Sequence, residues 1–230
     1  MEPKNYSRQY KDINSFQTCP VIFNKFNSFI KPKSDLLLIQ EDLVKSLMFK
    51  EMELNQYPDI RSMKTIWDKD ISRLKKKGTP LETCNNVSMR IQEFYHNFKK
   101  QFYDKGYRPI GVDFLIEYIS SSSVYTAVIP ILLGNTDKEL IPIYMSDIGA
   151  RNNEIRFNSA VLSDRIKYKI NHIYNMNSLS LKISEYKTTI KELDRSLVQL
   201  SQVMQLMEYD YTVPNTSYCK YCNFNSMCRL

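Results

Sequence analysis

No run in this sequence reaches the roughly 18–20 uninterrupted apolar residues that a membrane-crossing helix requires, so no membrane role is expected. The opening residues, MEPKNYSRQYKD, are polar and lack the apolar stretch of a signal peptide, which gives the expectation of an intracellular, cytoplasmic protein. Cysteine is sparse and odd in number, five in 230 residues, and argues against a disulfide framework. Only five glycines stand against sixteen tyrosines, a compositional bias to which no mechanism attaches. Histidine occurs twice, as His96 and His172. What is present is globular: 43% hydrophobic and 12% aromatic residues, enough chain for one medium-sized domain with a proper core. A formal charge of +7 and a pI near 9.0 admit a polyanionic partner without demanding one.

Hydrophobic periodicity orders the chain as helices first and sheet second. Helical spacing covers roughly 12–30, with Ile13, Phe16, Phe23 and Phe26 and a break at Pro20. A second helix spans about 35–55, behind Ser34 as cap, with Leu38, Leu43, Leu47 and Leu54 on its stripe. A third covers 59–77 and stops at RLKKKG. A fourth, 82–104, aligns Val87, Ile91, Phe94, Phe98 and Phe102. The period then changes to β-branched runs, PIGVDFLIEYIS, SVYTAVIPILLGN and ELIPIYMSDIG, which read as an antiparallel meander. A helix over 158–174 is expected next. A strand in SLSLKISEY follows, with Leu179, Leu181 and Ile183 on one face, and a last helix over 187–208. The fold class is therefore α/β with a small mixed sheet flanked by helices. One domain over 1–230 is expected, divided into a helical part (1–106), a sheet-bearing core (107–210) and a cysteine-rich tail (211–230).

That tail carries the strongest motif. SYCKYCNFNSMC places Cys219, Cys222 and Cys228 at C-x2-C-x5-C, and such soft thiolates suit an iron–sulfur cluster or zinc. Two cysteines could supply a fourth ligand. Cys84 opens an amphipathic helix and reads as a semi-buried thiol. Cys19 adjoins a proline among aromatics, in INSFQTCPVIFNKF. The pattern S-F-x-x-C-P followed by aromatics, with C-x2-C-x5-C at the far end, resembles the RecB-type nucleases that carry an iron–sulfur cluster. That group includes the CRISPR-adaptation exonucleases and the AddB helicase–nuclease subunit, all of the PD-(D/E)XK fold. The resemblance extends over nearly the whole chain, because the helix-then-sheet order also matches. It implies a restriction-endonuclease-like core and a [4Fe–4S] cluster on Cys19, Cys219, Cys222 and Cys228. Such a centre would close a loop of about two hundred residues and clamp both chain ends. Zinc stays open as the alternative metal, although zinc sites usually pair their cysteines in two short motifs.

The same resemblance implies a histidine in an early helix, an aspartate on the second strand and D-x-K or E-x-K on the third. Laid on that pattern, the aspartate position falls on Pro130, the second acid on Tyr144 and the lysine on Ser146, and QEDLVKSLMFKEM holds no histidine. A magnesium ion takes hard oxygen ligands, mostly carboxylates, which these residues do not provide. No catalytic magnesium is therefore expected, and the positions read as degenerate. The alternative assigns catalysis to Asp113 and Glu117, four apart on the first strand and so expected to share a face. Their plain reading is exposed carboxylates on a half-buried strand. Asp137-Lys138-Glu139 reads as a solvated turn, Asp147 lacks a lysine two residues on, and His96 and His172 read as packing or surface residues. Tyr174 could echo the family's Q-x-x-x-Y feature.

Basic runs occur at Lys75, Lys76 and Lys77, at Lys99, Lys100 and Arg108, and at Arg165, Lys167 and Lys169. Each reads singly as a solvated face; as an aromatic-interleaved set they would suit phosphate contacts and base stacking. The expected function is thus a catalytically inactive iron–sulfur pseudo-nuclease that binds DNA or serves as a scaffold subunit in a replication, recombination or transcription complex. An active metal-dependent DNA exonuclease is the alternative.

Overall fold

The computed structural model describes residues 7–19, 35–54, 60–76, 78, 80–120, 123–146, 152–166 and 168–208. Its helices are α1 (Tyr10–Thr18), α2 (Asp35–Leu54), α3 (Ile60–Lys76), α4 (Leu81–Phe102), α5 (Asn152–Arg165) and α6 (Ile190–Glu208). Its strands are β1 (Ser7–Arg8), β2 (Arg108–Ser120), β3 (Ser123–Gly134), β4 (Glu139–Ser146), β5 (Lys169–Ile170), β6 (Ile173–Asn177) and β7 (Ile183–Tyr186). Among the described residues no helix is long and apolar enough to cross a membrane.

Helix α4 follows its sequence stripe. Val87, Ile91, Phe94, Phe98 and Phe102 recur every three or four residues and are all buried. Phe98 packs its ring between Phe94, at 5.3 Å, and Phe102, at 4.8 Å. The helix stops in a short 3-10 turn, Tyr103–Lys105, and Gly106 at φ +84 supplies the left-handed residue that lets the chain turn into β2. The meander then forms as its alternation requires: β2 and β3 pair antiparallel along nearly their whole length, and β4 pairs antiparallel with the end of β3. Asn135 shapes the second hairpin, its side-chain oxygen accepting the N–H groups of Asp137 and Glu139.

After β4 the topology becomes mixed. Helix α5 crosses over so that β6 lies parallel to β4, and β7 returns antiparallel to β6. The seven-stranded sheet runs β1-β3-β4-β6-β7, with β2 on the other side of β3 and β5 beside the start of β4. Two hydrophobic cores result. Helices α2 and α4 bury Leu43, Leu47, Ile91 and Phe98 against Ile131, Ile143 and Met176 on one face. Helices α5 and α6 bury Val161, Leu162, Leu193 and Leu200 against Ile129, Leu132 and Tyr144 on the other.

Several expectations need correction. The helix expected over 158–174 runs from Asn152 to Arg165, and 173–177 is a strand. Ile166, Ile170 and Tyr174 imitate helical spacing, and pairing with β4, a non-local partner, overrides it. The strand expected over SLSLKISEY shrinks to Ile183–Tyr186. Leu179 is exposed, and Leu181 sits buried at φ +56 in the β6–β7 turn, so these leucines do not share a strand face. The first helix ends at Thr18; the rest of its expected span, with Phe23 and Phe26, lies outside the described residues. On α2, Leu38 and Leu54 are exposed while Ile39, Val44 and Met48 join Leu43 and Leu47 in the core.

Candidate functional site

Register places the positions of interest in one row across the sheet. Val112 pairs with Ile131 and Phe114 with Ile129, so Asp113 stands opposite Pro130. The β3–β4 ladder ends at Ile131 and Ile143, and its next step would join Pro130 to Tyr144. Tyr144 in turn pairs with Asn175 on β6. Proline is rare in a central strand because it cannot donate to the ladder. Here neither flanking ladder uses its position, since the β2 pairing skips Asp113 and the β4 pairing stops one residue short.

Tyr144 and Asp113 in this row serve opposite faces. Tyr144 is buried on the α5 side, where the Ser159 hydroxyl donates a 2.9 Å hydrogen bond to its phenol oxygen. Burial pushes the phenol's pKa far above its ordinary value, against a lowering effect from the Ser159 hydrogen bond and with a further raising effect from Glu154. Beside it, Tyr125 donates to Asn158 at 2.6 Å, and the Asn158 amide donates to the Val128 carbonyl at 3.1 Å. Tyr144, Ser159, Tyr125 and Asn158 are thus neutral, mutually satisfied groups, with the Glu154 carboxylate on the same helix as Ser159 and Asn158. Asp113 reaches the α2 side instead, where Lys45 holds it at 2.6 Å. Its φ of +47 is unusual for a non-glycine residue within a strand. Alternation breaks there as well: Val112 packs against the α2–α4 core, but Phe114 and Ile116 feed the α5–α6 core. Glu117 is exposed, in register with Thr126. Ser146 pairs with Asn177 through the backbone.

The cysteines divide differently. Cys19 is buried just past α1, a helix that packs against α6, the last described element before the tail. Cys84 is fully buried among the α2–α4 core residues. Cys219, Cys222 and Cys228 lie outside the described residues, as does Asp147. Among the described residues no group of three or more His, Cys, Asp or Glu side chains could hold a metal ion.

The basic positions do not form one patch. Lys75 and Lys76 lie at the end of α3, before α4 begins, whereas Lys99 and Lys100 lie in the last turns of α4, about 27 Å further along its axis. Arg165 ends α5 on the opposite layer, 3.5 Å from Asp164, with its guanidinium over the Tyr118 ring. Arg108 is committed locally, donating to the Tyr103 and Tyr107 carbonyls and stacking on Tyr103. Lys77 and Lys167 lie outside the described residues. His96 is exposed; the exposed His172 ring nitrogen lies 2.8 Å from Glu185, and Tyr174 packs edge-on against Phe102.

Two features escaped the sequence reading. Glu139 is no solvated turn residue: its carboxylate accepts from Tyr107 at 2.8 Å, Asn171 at 2.7 Å and Asn135 at 3.2 Å, with Lys169 at 3.7 Å. These donors, the Tyr107 hydroxyl first, hold its pKa below the usual carboxylate value, and the same bond helps burial push Tyr107 up to about 12. The second is a groove of about 460 Å³ between α2, α3 and β2, next to Asp113. Its one sequence signal is Phe49, an aromatic that falls off the buried stripe of α2.

No family model matches the chain, and no curated protein matches it in sequence. Among solved structures, a protein from Eubacterium rectale named as a candidate exonuclease aligns over 97% of this chain and 88% of its own, at 10% identity and a TM-score of 0.56. A second, named SSO0001, covers 90% of this chain and 91% of its own at 11% identity; its TM-score of 0.33 is too low to bear on the fold. The chain therefore shares the fold of the E. rectale protein: a mixed sheet with helices on both faces, ordered as three antiparallel strands, a crossover helix and a parallel strand.

Proposed function

We propose that this protein is a pseudo-nuclease: a nuclease-fold chain that binds DNA, or holds a partner on DNA, without cutting it. The observation that carries this reading is the row Asp113–Pro130–Tyr144–Asn175. Metal-dependent hydrolysis of a phosphodiester needs carboxylates converging on one ion beside the scissile phosphate. In this row Asp113 alone is acidic, and its ion pair turns it to the face opposite Tyr144. Pro130, Tyr144 and Asn175 carry no charge, so these three positions add none to repel a phosphate backbone.

The iron–sulfur part of the proposal rests on donor chemistry. Cys19 is buried just past α1, which packs against α6, and Cys219 follows the end of α6 by eleven residues in the sequence. Cys19, Cys219, Cys222 and Cys228 would hold the cluster, which would act as a structural clamp on the termini.

The E. rectale neighbour favours a second reading, an active exonuclease, because that protein is named as a candidate exonuclease on the same fold. Incubation of purified protein with single- and double-stranded DNA in magnesium or manganese separates the two. The pseudo-nuclease reading expects salt-sensitive binding and no cleavage. Cleavage that disappears in Asp113→Ala would overturn it. Iron and sulfide analysis of anaerobically purified protein, with its visible spectrum, decides between the cluster and zinc.

A further inference from the structure

We propose that the groove between α2, α3 and β2 binds single-stranded nucleic acid, one base stacking on Phe49 and its flanking phosphates lying on Lys45, Lys50 and Lys69. This rests on the nucleic-acid reading above but moves the contact to the face opposite Tyr144, away from the position of the family's catalytic residues.

The groove's volume of about 460 Å³ falls within the ~300–1,000 Å³ of ordinary ligand clefts. Phe49 is 53% exposed and is the one exposed phenylalanine among the described residues; every other phenylalanine with a described side chain is buried or half-buried. A helix of this protein has apolar faces to pack against, so an aromatic left in solvent beside a groove is available as a stacking platform. Around it stand the lysines Lys45, Lys50 and Lys69 and the carboxylates Asp42 and Asp113, with Glu53 beyond Lys50. Lys50 meets Glu53 at 3.0 Å in an exposed i,i+3 pair, and such pairs are weak enough to be given up to a phosphate. Lys69 is exposed and has no ion-pair partner among the described residues. The groove floor holds Asp113 in its left-handed conformation under the Lys45 ion pair. Strained backbone of this kind gathers at binding sites more than in plain strands. An exposed aromatic flanked by lysines is the arrangement that single strands use, since every base offers a stacking face and every linkage a charge. A duplex hides its base faces and gains nothing from Phe49.

Anisotropy of a labelled oligothymidylate of about 12 nucleotides, titrated with the full chain across a salt series, tests the site. Phe49→Ala should weaken binding about tenfold and leave the salt dependence unchanged. The double variant Lys50→Glu/Lys69→Glu should weaken it at least about tenfold and flatten the log–log salt slope by about 1.4, two phosphate contacts on a single strand. Lys99→Glu/Lys100→Glu carries the same charge change at the far end of α4 and should bind nearly as the parent does. Thermal melts check that each exposed-site variant is folded. A parent chain that binds no oligonucleotide overturns both this site and the nucleic-acid reading. A parent that binds, with Phe49→Ala equally tight or with the control double as weak as the groove double, overturns the groove alone.

Discussion

Ser159 on α5 donates a 2.9 Å hydrogen bond to the phenol of Tyr144 on β4, joining crossover helix to strand at the position where the resemblance implies a catalytic acid. Both side chains are buried, so the bond is internal to the core. Tyr144→Phe should cost about 1 kcal/mol, because it leaves the buried Ser159 hydroxyl without this acceptor. Urea denaturation measures the loss. DNA binding should be unchanged, and a binding defect in a folded Tyr144→Phe protein would mean that the phenol has a ligand.

Asp113 is held at φ +47, where a branched side chain is strained and glycine is not. Asp113→Val should therefore cost about 1–2 kcal/mol. Asp113→Gly should be nearly neutral, since relief of strain offsets the loss of a half-exposed ion pair with Lys45. Equal destabilisation by both would show that the ion pair, not the backbone, matters.

Glu51 is buried on α2 and accepts a hydrogen bond from the Tyr103 hydroxyl. Burial raises its pKa from 4.5 to about 7, against the lowering effects of Tyr103 and Arg108. The folded state then holds its proton more tightly than the unfolded chain. The stability this confers is complete below about pH 4.5 and is lost as pH rises towards 7. Glu51→Gln should match the parent at the acid end of that window and exceed it in stability above it, as followed by denaturant midpoints across pH. Glu139 has the opposite sign. Its lowered pKa contributes stability above the ordinary carboxylate range that fades as pH falls, so Glu139→Gln should be weaker at neutral pH and approach the parent in acid.

Cys222→Ser should yield a protein without cluster absorbance and with a lower Tm, because binding energy at a metal centre is coupled to folding. Cys84→Ala should keep the cluster while costing about 1 kcal/mol of core packing. A colourless Cys84→Ala protein, or an unchanged Tm in colourless Cys222→Ser, would count against the proposed ligand set or its structural role.

Local pattern carried much of the fold. The α4 stripe, the three-strand meander and the end of α3 at Lys76 are visible in the sequence, because each depends on a period or stop signal within one element. Strand β6 was not visible. KINHIYNMN fits a helix as well as a strand, and only β4, some thirty residues away and parallel, makes it a strand.

The candidate site divides along the same line. Sequence alone determined which residue types stand at 113, 130 and 144, and hence that carboxylates are few there. Tertiary structure decided that these positions share one row, that Asp113 leaves it towards Lys45, and that Tyr144 is closed off by Ser159. It also left Phe49 exposed among lysines from two helices. Periodicity is a property of one element, whereas register, face and the far side of a groove belong to pairs of elements that the chain brings together only on folding.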